Sequence, residues 1–241
     1  MKNWLFILIV IPVFFSCQKE IKDDRVYMPV TVRFMAVAGS QPLEFGMLYQ
    51  NQYGEDIIFS AFKFYIHQLK IGGYSIGTES HYLVDFNKAD PAFSITGFVP
   101  EGNYSNLSFY IGVDSTRNFS GAQSGALDPL HGMFWTWSTG YIMAKMEGVS
   151  SFANTPGNAV EYHIGGFSGE QNVTKHIMLP ATIESREGNE LIINIKADAL
   201  KWFGGEGNIS IADNPVCMTP GELAKSIAGN YYKMFSIETV Q

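Results

Sequence analysis

Hydrophobic positions in this chain recur with a period of two. In residues 30–37 (VTVRFMAV), Val30, Val32 and Phe34 fall on one side and Thr31 and Arg33 on the other, as in a half-buried strand. Residues 107–113 repeat the pattern with Leu107, Phe109, Ile111 and Val113. Residues 57–71 set Phe62, Phe64 and Ile66 against Lys63, Tyr65 and His67, and Gly72-Gly73 turns the chain afterwards. Shorter runs follow at 82–86, 142–147, 160–164, 172–179 and 191–195, with a weaker one at 43–49. Helix is sparse. Residues 198–203 read as a turn or two stopped by Gly204-Gly205. Thr219-Pro220-Gly221-Glu222 reads as a capping box that opens a short helix through Ile227-Ala228, closed by Gly229. Residues 231–239 return as a final strand. The expected fold is all-β: an antiparallel β-sandwich with one or two short helices near the C-terminus.

The first residues belong to a different pattern. Lys2 precedes an apolar run over 4–15, too short to span a bilayer, which ends at Ser16-Cys17. This predicts a lipoprotein signal peptide at 1–16, a lipidated Cys17 with a charged tether at 17–29, and one sandwich domain at 30–241. Acyl chains on Cys17 would hold the protein on a membrane. The tether QKEIKDDR resembles export signals of surface lipoproteins, so the expected location is the outer membrane, on its periplasmic face or at the cell surface. Once Cys17 is acylated, Cys217 is the remaining cysteine of two, which excludes an intrachain disulfide and predicts a buried thiol. The formal net charge of −7 argues against a nucleic-acid partner.

Candidate chemistry concentrates in residues 112–148 (GVDSTRNFSGAQSGALDPLHGMFWTWSTGYIMAKMEG). In extended backbone Trp135 and Trp137 stand side by side with Met133 in line, flanked by His131 and Tyr141. Asp114 and Asp128 bracket the loop and suit turn caps. The five histidines, His67, His81, His131, His163 and His176, form no local metal motif, so any site must be assembled across strands. His163 lies opposite the apolar set Val160, Tyr162 and Ile164, just before Gly165-Gly166. His67 faces away from Phe62, Phe64 and Ile66. His81 and His176 carry the least weight. Imidazole together with the Met133 thioether favours copper over magnesium or calcium. No phosphate loop is present and no Cys–His pair can be argued from one buried thiol, so no enzyme is expected. A second reading makes Trp135, Trp137, Tyr141 and Tyr104 an aromatic platform for a glycan or a partner protein.

The segments GVDSTRN, GALDPL and GMFWTWSTGYI, followed by KMEG and, at 161–169, EYHIGGFSG, resemble the MbnP-like copper-binding family (MbnP/CorA-type). The likeness extends from about residue 30 to the C-terminus. It implies copper acquisition, storage or homeostasis without turnover. It also implies His163 as an imidazole ligand. Beside it, the reading of the residues adds His67 or His131 as a second ligand, Met133 as a soft neighbour, and Trp137 and Tyr141 in the pocket. In that family a tryptophan of this region becomes a kynurenine that ligates copper, which would make Trp135 the pocket wall or the modified ligand. An intact indole cannot serve, because its N–H only donates. The oxidation implies a di-haem, MauG-like peroxidase partner. The geometric expectation is that folding carries His163 to the neighbourhood of the two indoles.

Overall fold

A computed structural model describes residues 24–88, 92–136 and 139–241; the expected signal peptide, Cys17 and Trp137 lie outside the described residues. In chain order the strands are β1 (Tyr27–Ala38), β2 (Gln41–Pro42), β3 (Leu48–Gln50), β4 (Asp56–Ile71), β5 (Tyr74–Ser75), β6 (His81–Asp85), β7 (Phe93–Pro100), β8 (Gly102–Ile111), β9 (Phe134–Thr136), β10 (Gly140–Val149), β11 (Ala159–Gly165), β12 (Lys175–Ser185), β13 (Leu191–Asp198), β14 (Val216–Cys217) and β15 (Phe235–Val240). Two helices join them, α1 (Ser115–Phe119) and α2 (Glu222–Tyr231).

They form the expected sandwich. One sheet runs β15-β13-β1, with β7 and β2 also paired to β1, and the other runs β12-β8-β4-β10-β11-β14. Pairing is mostly antiparallel, but β1–β13 and β11–β14 are parallel, so both sheets are mixed. The alternating apolar positions face inward. Phe34 of β1 meets Phe109 at 5.5 Å, and Phe235 meets Phe64 at 5.3 Å and Phe109 at 4.9 Å, all edge-to-face between sheets or strands. The long β4 organises the second sheet. Its first half pairs β10 and its second half β8, while β6 takes the opposite edge.

Two local expectations are corrected, and one, the short turn before Gly204, is met. The chain over 219–222 is not a capping box: α2 starts from Gly221 at φ 155, with no side-chain cap, and runs through Gly229 to Tyr231. Packing extends it past the glycine, since Asn230 donates to the carbonyls of Trp202 and Gly207 and Tyr231 is fully buried. Residues 199–203 are a 3-10 helix capped by the Asp198 carboxylate, which accepts from the Leu200 N–H. Finally, β7 escaped the alternation reading, because only Ile95 and Val99, with Pro100, are buried along a strand that contains Ser94, Thr96 and Gly97.

Between β8 and β10 the chain makes an excursion through α1, two 3-10 turns and β9, and lies on the outer face of the second sheet. Asp114 caps α1 by accepting from Arg117 N–H, and Asp128 caps the second turn by accepting from Leu130 N–H. Tyr141 stands edge-on to Tyr65 at 5.8 Å, and its hydroxyl donates to the Leu127 carbonyl at 2.8 Å. Tyr65 is fully buried although it points away from the sandwich core. Its hydroxyl has no hydrogen-bond partner among the described residues. The excursion thus builds a second interior on the far side of the sheet.

Candidate functional site

That second interior holds a row of rings. On the outer face of β4, His67 is the direct partner of His81 on β6 and of Tyr110 on β8, and Tyr110 is the direct partner of His176 on β12. The rings stack in sequence: His81 to His67 at 5.0 Å and 24°, His67 to Tyr110 at 5.1 Å and 20°, Tyr110 to His176 at 4.6 Å and 31°. The row runs from burial to solvent. His67 and His81 are each 4% exposed, Tyr110 is half-buried, and His176 is exposed.

The hydrogen bonds fix the protons. His67 Nδ1 lies 3.0 Å from the Gly112 carbonyl, which can only accept, so Nδ1 carries the hydrogen and Nε2 keeps the in-plane lone pair. Such a backbone anchor is how a protein orients a metal-ligating imidazole. His81 Nδ1 lies 3.1 Å from Ser80 Oγ. Its Nε2 stands 3.1 Å from Asp114 Oδ2, an ion-pair distance, yet that buried nitrogen makes no aligned hydrogen bond. Burial lowers the pKa of both rings. For His81, the neighbouring His67 and Arg117 add to it against the pull of Asp114, down to about 4. At neutral pH both imidazoles are therefore neutral donors.

The backbone at His67 is irregular. The β4–β8 register shifts between His67 and Lys70, and Gln68 sits at φ 52, in the left-handed region. A cavity of about 330 Å³ opens beside this bulge between His67, His81, Asp114 and Arg117. A larger one, about 660 Å³, has His81, Asp85 and His131 among its walls.

His163 occupies another part of the same outer face. It pairs in register with Lys145, which pairs with Lys63. Its Nε2 lies 2.7 Å from Glu147 Oε1, and Lys145 Nζ is 3.2 Å from the same oxygen. The hydrogen bond from His163, reinforced by Lys145, holds the Glu147 carboxyl down at about 2. The Trp135 ring lies over Gly165, two residues from His163 on the same side of β11; a Cβ at Gly165 would run into it.

The sequence-derived candidates therefore separate. Trp135, on β9, lies over Gly165, two residues along β11 from His163. His67 lies two strands and four residues away from His163, roughly 16 Å at ordinary strand spacing, too far to share an ion. His131 is half-buried at the cavity shared with His81, its Nε2 donating to the Gly125 carbonyl at 3.0 Å. Met133 is fully buried in the hydrophobic core. The thioether at the Gly112 turn belongs instead to Met143, whose sulfur accepts from Val113 N–H. Tyr141 is fully buried and Tyr104 donates to the Pro100 carbonyl, so neither stands beside Trp135 as an exposed platform. Cys217 is buried as expected, which pushes its thiol up to about 11. Among the described residues, no three His, Cys, Asp or Glu side chains converge on one point.

His81 and Asp114 were the residues that sequence reasoning undervalued. Alternation in HYLVD places His81, Leu83 and Asp85 on one face. The register that brings His81 to His67 has no sequence signature.

Fold and site together define an all-β sandwich whose outer sheet face, roofed by an inserted excursion, holds buried neutral imidazoles. The MbnP family model matches residues 27–219, and the chain belongs to that family. A solved structure, MbnP from Methylosinus trichosporium, shares the fold with a TM-score of 0.51 at 16% identity, over 74% of this chain and 78% of that one. Among curated proteins, none matches this chain.

Proposed function

We propose that this protein binds copper, as an exported and lipid-anchored member of its family that acquires, stores or buffers the metal without turnover. The observation that carries this reading is the His67–His81 pair: two buried, neutral imidazoles at one cavity, with His67 Nε2 left as the lone-pair nitrogen by the Gly112 carbonyl. Two imidazoles with an adjacent carboxylate, Asp114, suit copper or another borderline transition metal rather than magnesium or calcium. The ring planes are 24° apart, so their lone pairs run side by side; closing on an ion takes a turn of one ring into the cavity. His131 is the further imidazole at the rim, on the His81 side. Bound there, copper would supply one-electron redox chemistry, and the chain's residues would hold and shield it.

His163 offers a second arrangement. Its Nε2 donates to Glu147, which leaves Nδ1 as the donor nitrogen, and the Trp135 ring lies over Gly165, two residues further along β11. That arrangement supports a site only if Trp135 is oxidised to kynurenine, which requires the expected di-haem peroxidase partner. The lipid anchor at Cys17 belongs to the same proposal.

Copper content of protein produced with its export signal tests the reading. Wild type should retain a stoichiometric equivalent. His67→Ala and His81→Ala should each lose it while His163→Ala keeps it. Loss in His163→Ala alone would move the site to Trp135 and His163. A wild type that never holds copper, with or without added metal, ends the copper assignment. Intact mass of the same samples reports acylation of Cys17 and oxidation of Trp135.

A further inference from the structure

The end of the sandwich where the described residues begin is apolar and aromatic, unlike the sheet face that it continues. Along β1 and β7 the outward pairs are Arg33–Ser94 and Thr31–Thr96, then Pro29–Phe98 and Tyr27–Pro100. The first two pairs are polar and the last two carry apolar surface. Phe98 is 63% exposed, and Val26 and Tyr27 are 52% and 41% exposed. A single exposed apolar side chain needs no explanation, but a cluster of them marks a surface that meets something.

Arg25 joins the cluster to a row of tyrosines. Its guanidinium donates to the Tyr74 hydroxyl and lies 5.1 Å from the Tyr74 ring centre and 5.9 Å from that of Tyr27. Tyr74 meets Tyr104 edge-on at 5.9 Å, and the Tyr104 hydroxyl donates to the Pro100 carbonyl. Tyrosine and arginine each join an apolar body to a polar tip, which suits them to the boundary between headgroups and acyl chains.

The position of the cluster says what covers it. Residue 24 comes seven positions after Cys17, and a chain reaches at most about 3.6 Å per residue, so an acylated Cys17 lies within about 25 Å of these rings. Charge narrows the kind of lipid. Asp24, Glu101 and Glu190 are exposed at this end, and the formal net charge of the chain is −7, so an anionic bilayer would repel it. Zwitterionic headgroups admit the rings without that repulsion.

We infer that Val26, Tyr27 and Phe98 dock the domain on a bilayer of zwitterionic phospholipid, a role that rests on the lipid anchor at Cys17 proposed above. The acyl chains bring the protein to the membrane, and the cluster fixes which end of the sandwich faces it. Because the tether makes insertion intramolecular, a small apolar patch is enough. The sixteen residues of β4, about 50 Å of strand, separate Tyr74 at the docked end from Tyr53 at the other.

Nitroxide labels on the full acylated chain, bound to phosphatidylcholine vesicles, provide the test. Phe98→Cys carries a label in the cluster and Tyr53→Cys, at a residue 41% exposed, carries one at the far end; Cys217 is buried and does not compete. The label at 98 should be relaxed more by oxygen, which concentrates in the bilayer, than by a water-soluble nickel chelate, and the label at 53 should show the reverse order. Adding Val26→Ser and Tyr27→Ser should return the label at 98 to the order seen at 53. Phosphatidylglycerol in the vesicles should move it the same way, and equal depth there overturns the choice of lipid. A label at 98 as open to the nickel chelate as the one at 53 overturns the docking. So does dipolar broadening at 98 that fades on dilution with unlabelled protein, which would put a second copy of the chain on the cluster. Intact mass and co-sedimentation with vesicles report the anchor separately: an acylated, vesicle-bound chain with a water-exposed label keeps the anchor and loses the docking, whereas a chain neither acylated nor bound removes both.

Discussion

His163 and the His67–His81 pair sit on the same face of the same sheet, and each includes a buried imidazole near a carboxylate. What differs is alignment. His163 donates squarely to Glu147 at 2.7 Å, and Lys145 closes on the same oxygen. In such a cluster most of the hydrogen-bonding capacity is spent on holding β10 to β11. His81 has Asp114 at 3.1 Å but no aligned hydrogen bond, and Asp114 is already occupied in capping α1 through its other oxygen. The first region is organised to be complete as it stands. The second keeps an orphaned nitrogen and a lone pair beside a cavity, at the cost of burial that no strong hydrogen bond offsets. Proximity of imidazole to carboxylate is therefore a poor guide to function; the direction of the N–H decides it.

The largest expected effect is on acid sensitivity, which should separate the two regions by pH window. In the copper-free protein His81 has a folded pKa of about 4 against an ordinary 6.5. A folded value below the unfolded one means that the unfolded chain binds the proton more readily. Stability is then full above pH 6.5 and declines as pH falls from 6.5 towards 4, by on the order of 3 kcal/mol. His67 is shifted the same way and widens the loss. Glu147 works lower: with a folded value of about 2 against 4.5, its contribution is present above pH 4.5 and disappears as pH falls towards 2. Denaturant titrations across pH 3–7 check this. His81→Gln should flatten the upper window and Glu147→Gln should leave it unchanged. An upper window that survives His81→Gln would mean the acid response belongs to other groups.

Next in size is the removal of the carboxylate that completes the first region. Glu147→Ala leaves His163 and Lys145 facing each other without a counter-charge, and should cost about 2 kcal/mol, the scale of a hydrogen bond to a charged group. Copper content should not change if the metal is held at His67 and His81. Equilibrium unfolding and metal analysis of one preparation measure both, and a variant as stable as wild type would reduce the cluster to a surface pairing.

The contrast between the regions also explains what could be read in advance. Strand alternation gave β1, β4, β8, β11 and β13 with their inward faces, because Phe62, Phe64, Ile66 and their partners obey a period that needs only local sequence. The outward position of His67 and His163 followed from the same rule. Family likeness covered the excursion and the domain as a whole. Pairing between strands did not follow: the registers that set His81 against His67, His67 against Tyr110 and Tyr110 against His176 join strands far apart in sequence and have no local signature. The burial of Met133 escaped the sequence for a related reason. Its place beside the tryptophans in the sequence said nothing of the backbone between them, where Ile142 N–H binds the Met133 carbonyl and the thioether goes into the core. Trp135 over Gly165 was foreseeable in part, since a glycine on a strand marks a spot where something approaches closely.

Gly165→Ala probes that approach. The new methyl would collide with the Trp135 ring, with the Tyr141 carbonyl at 3.1 Å on the other side. The indole must move, at about 1–2 kcal/mol for overpacking. Its emission should shift, whereas copper retention stays unchanged under the His67–His81 assignment. Copper loss accompanying the emission shift would favour the arrangement around Trp135 and His163.

The smallest effect concerns the backbone that turns His67 onto the row. Gln68 adopts φ 52, which costs a side-chain-bearing residue roughly 1 kcal/mol and a glycine nothing. Glycine in turn loses more freedom on folding, by about 0.5–1 kcal/mol. The two nearly cancel, so Gln68→Gly should alter stability by less than about 1 kcal/mol, and Gln68→Val, which brings β-branching to a left-handed position, should cost clearly more. If the bulge exists to set the rings, Gln68→Gly keeps the stack while Gln68→Val pulls the strand towards regular register and separates His67 from Tyr110. Aromatic proton shifts of the His67 and Tyr110 rings report that separation without reference to any metal. Identical ring shifts in both variants would show that the stack is held by the side chains themselves and that the strained residue plays no part in it.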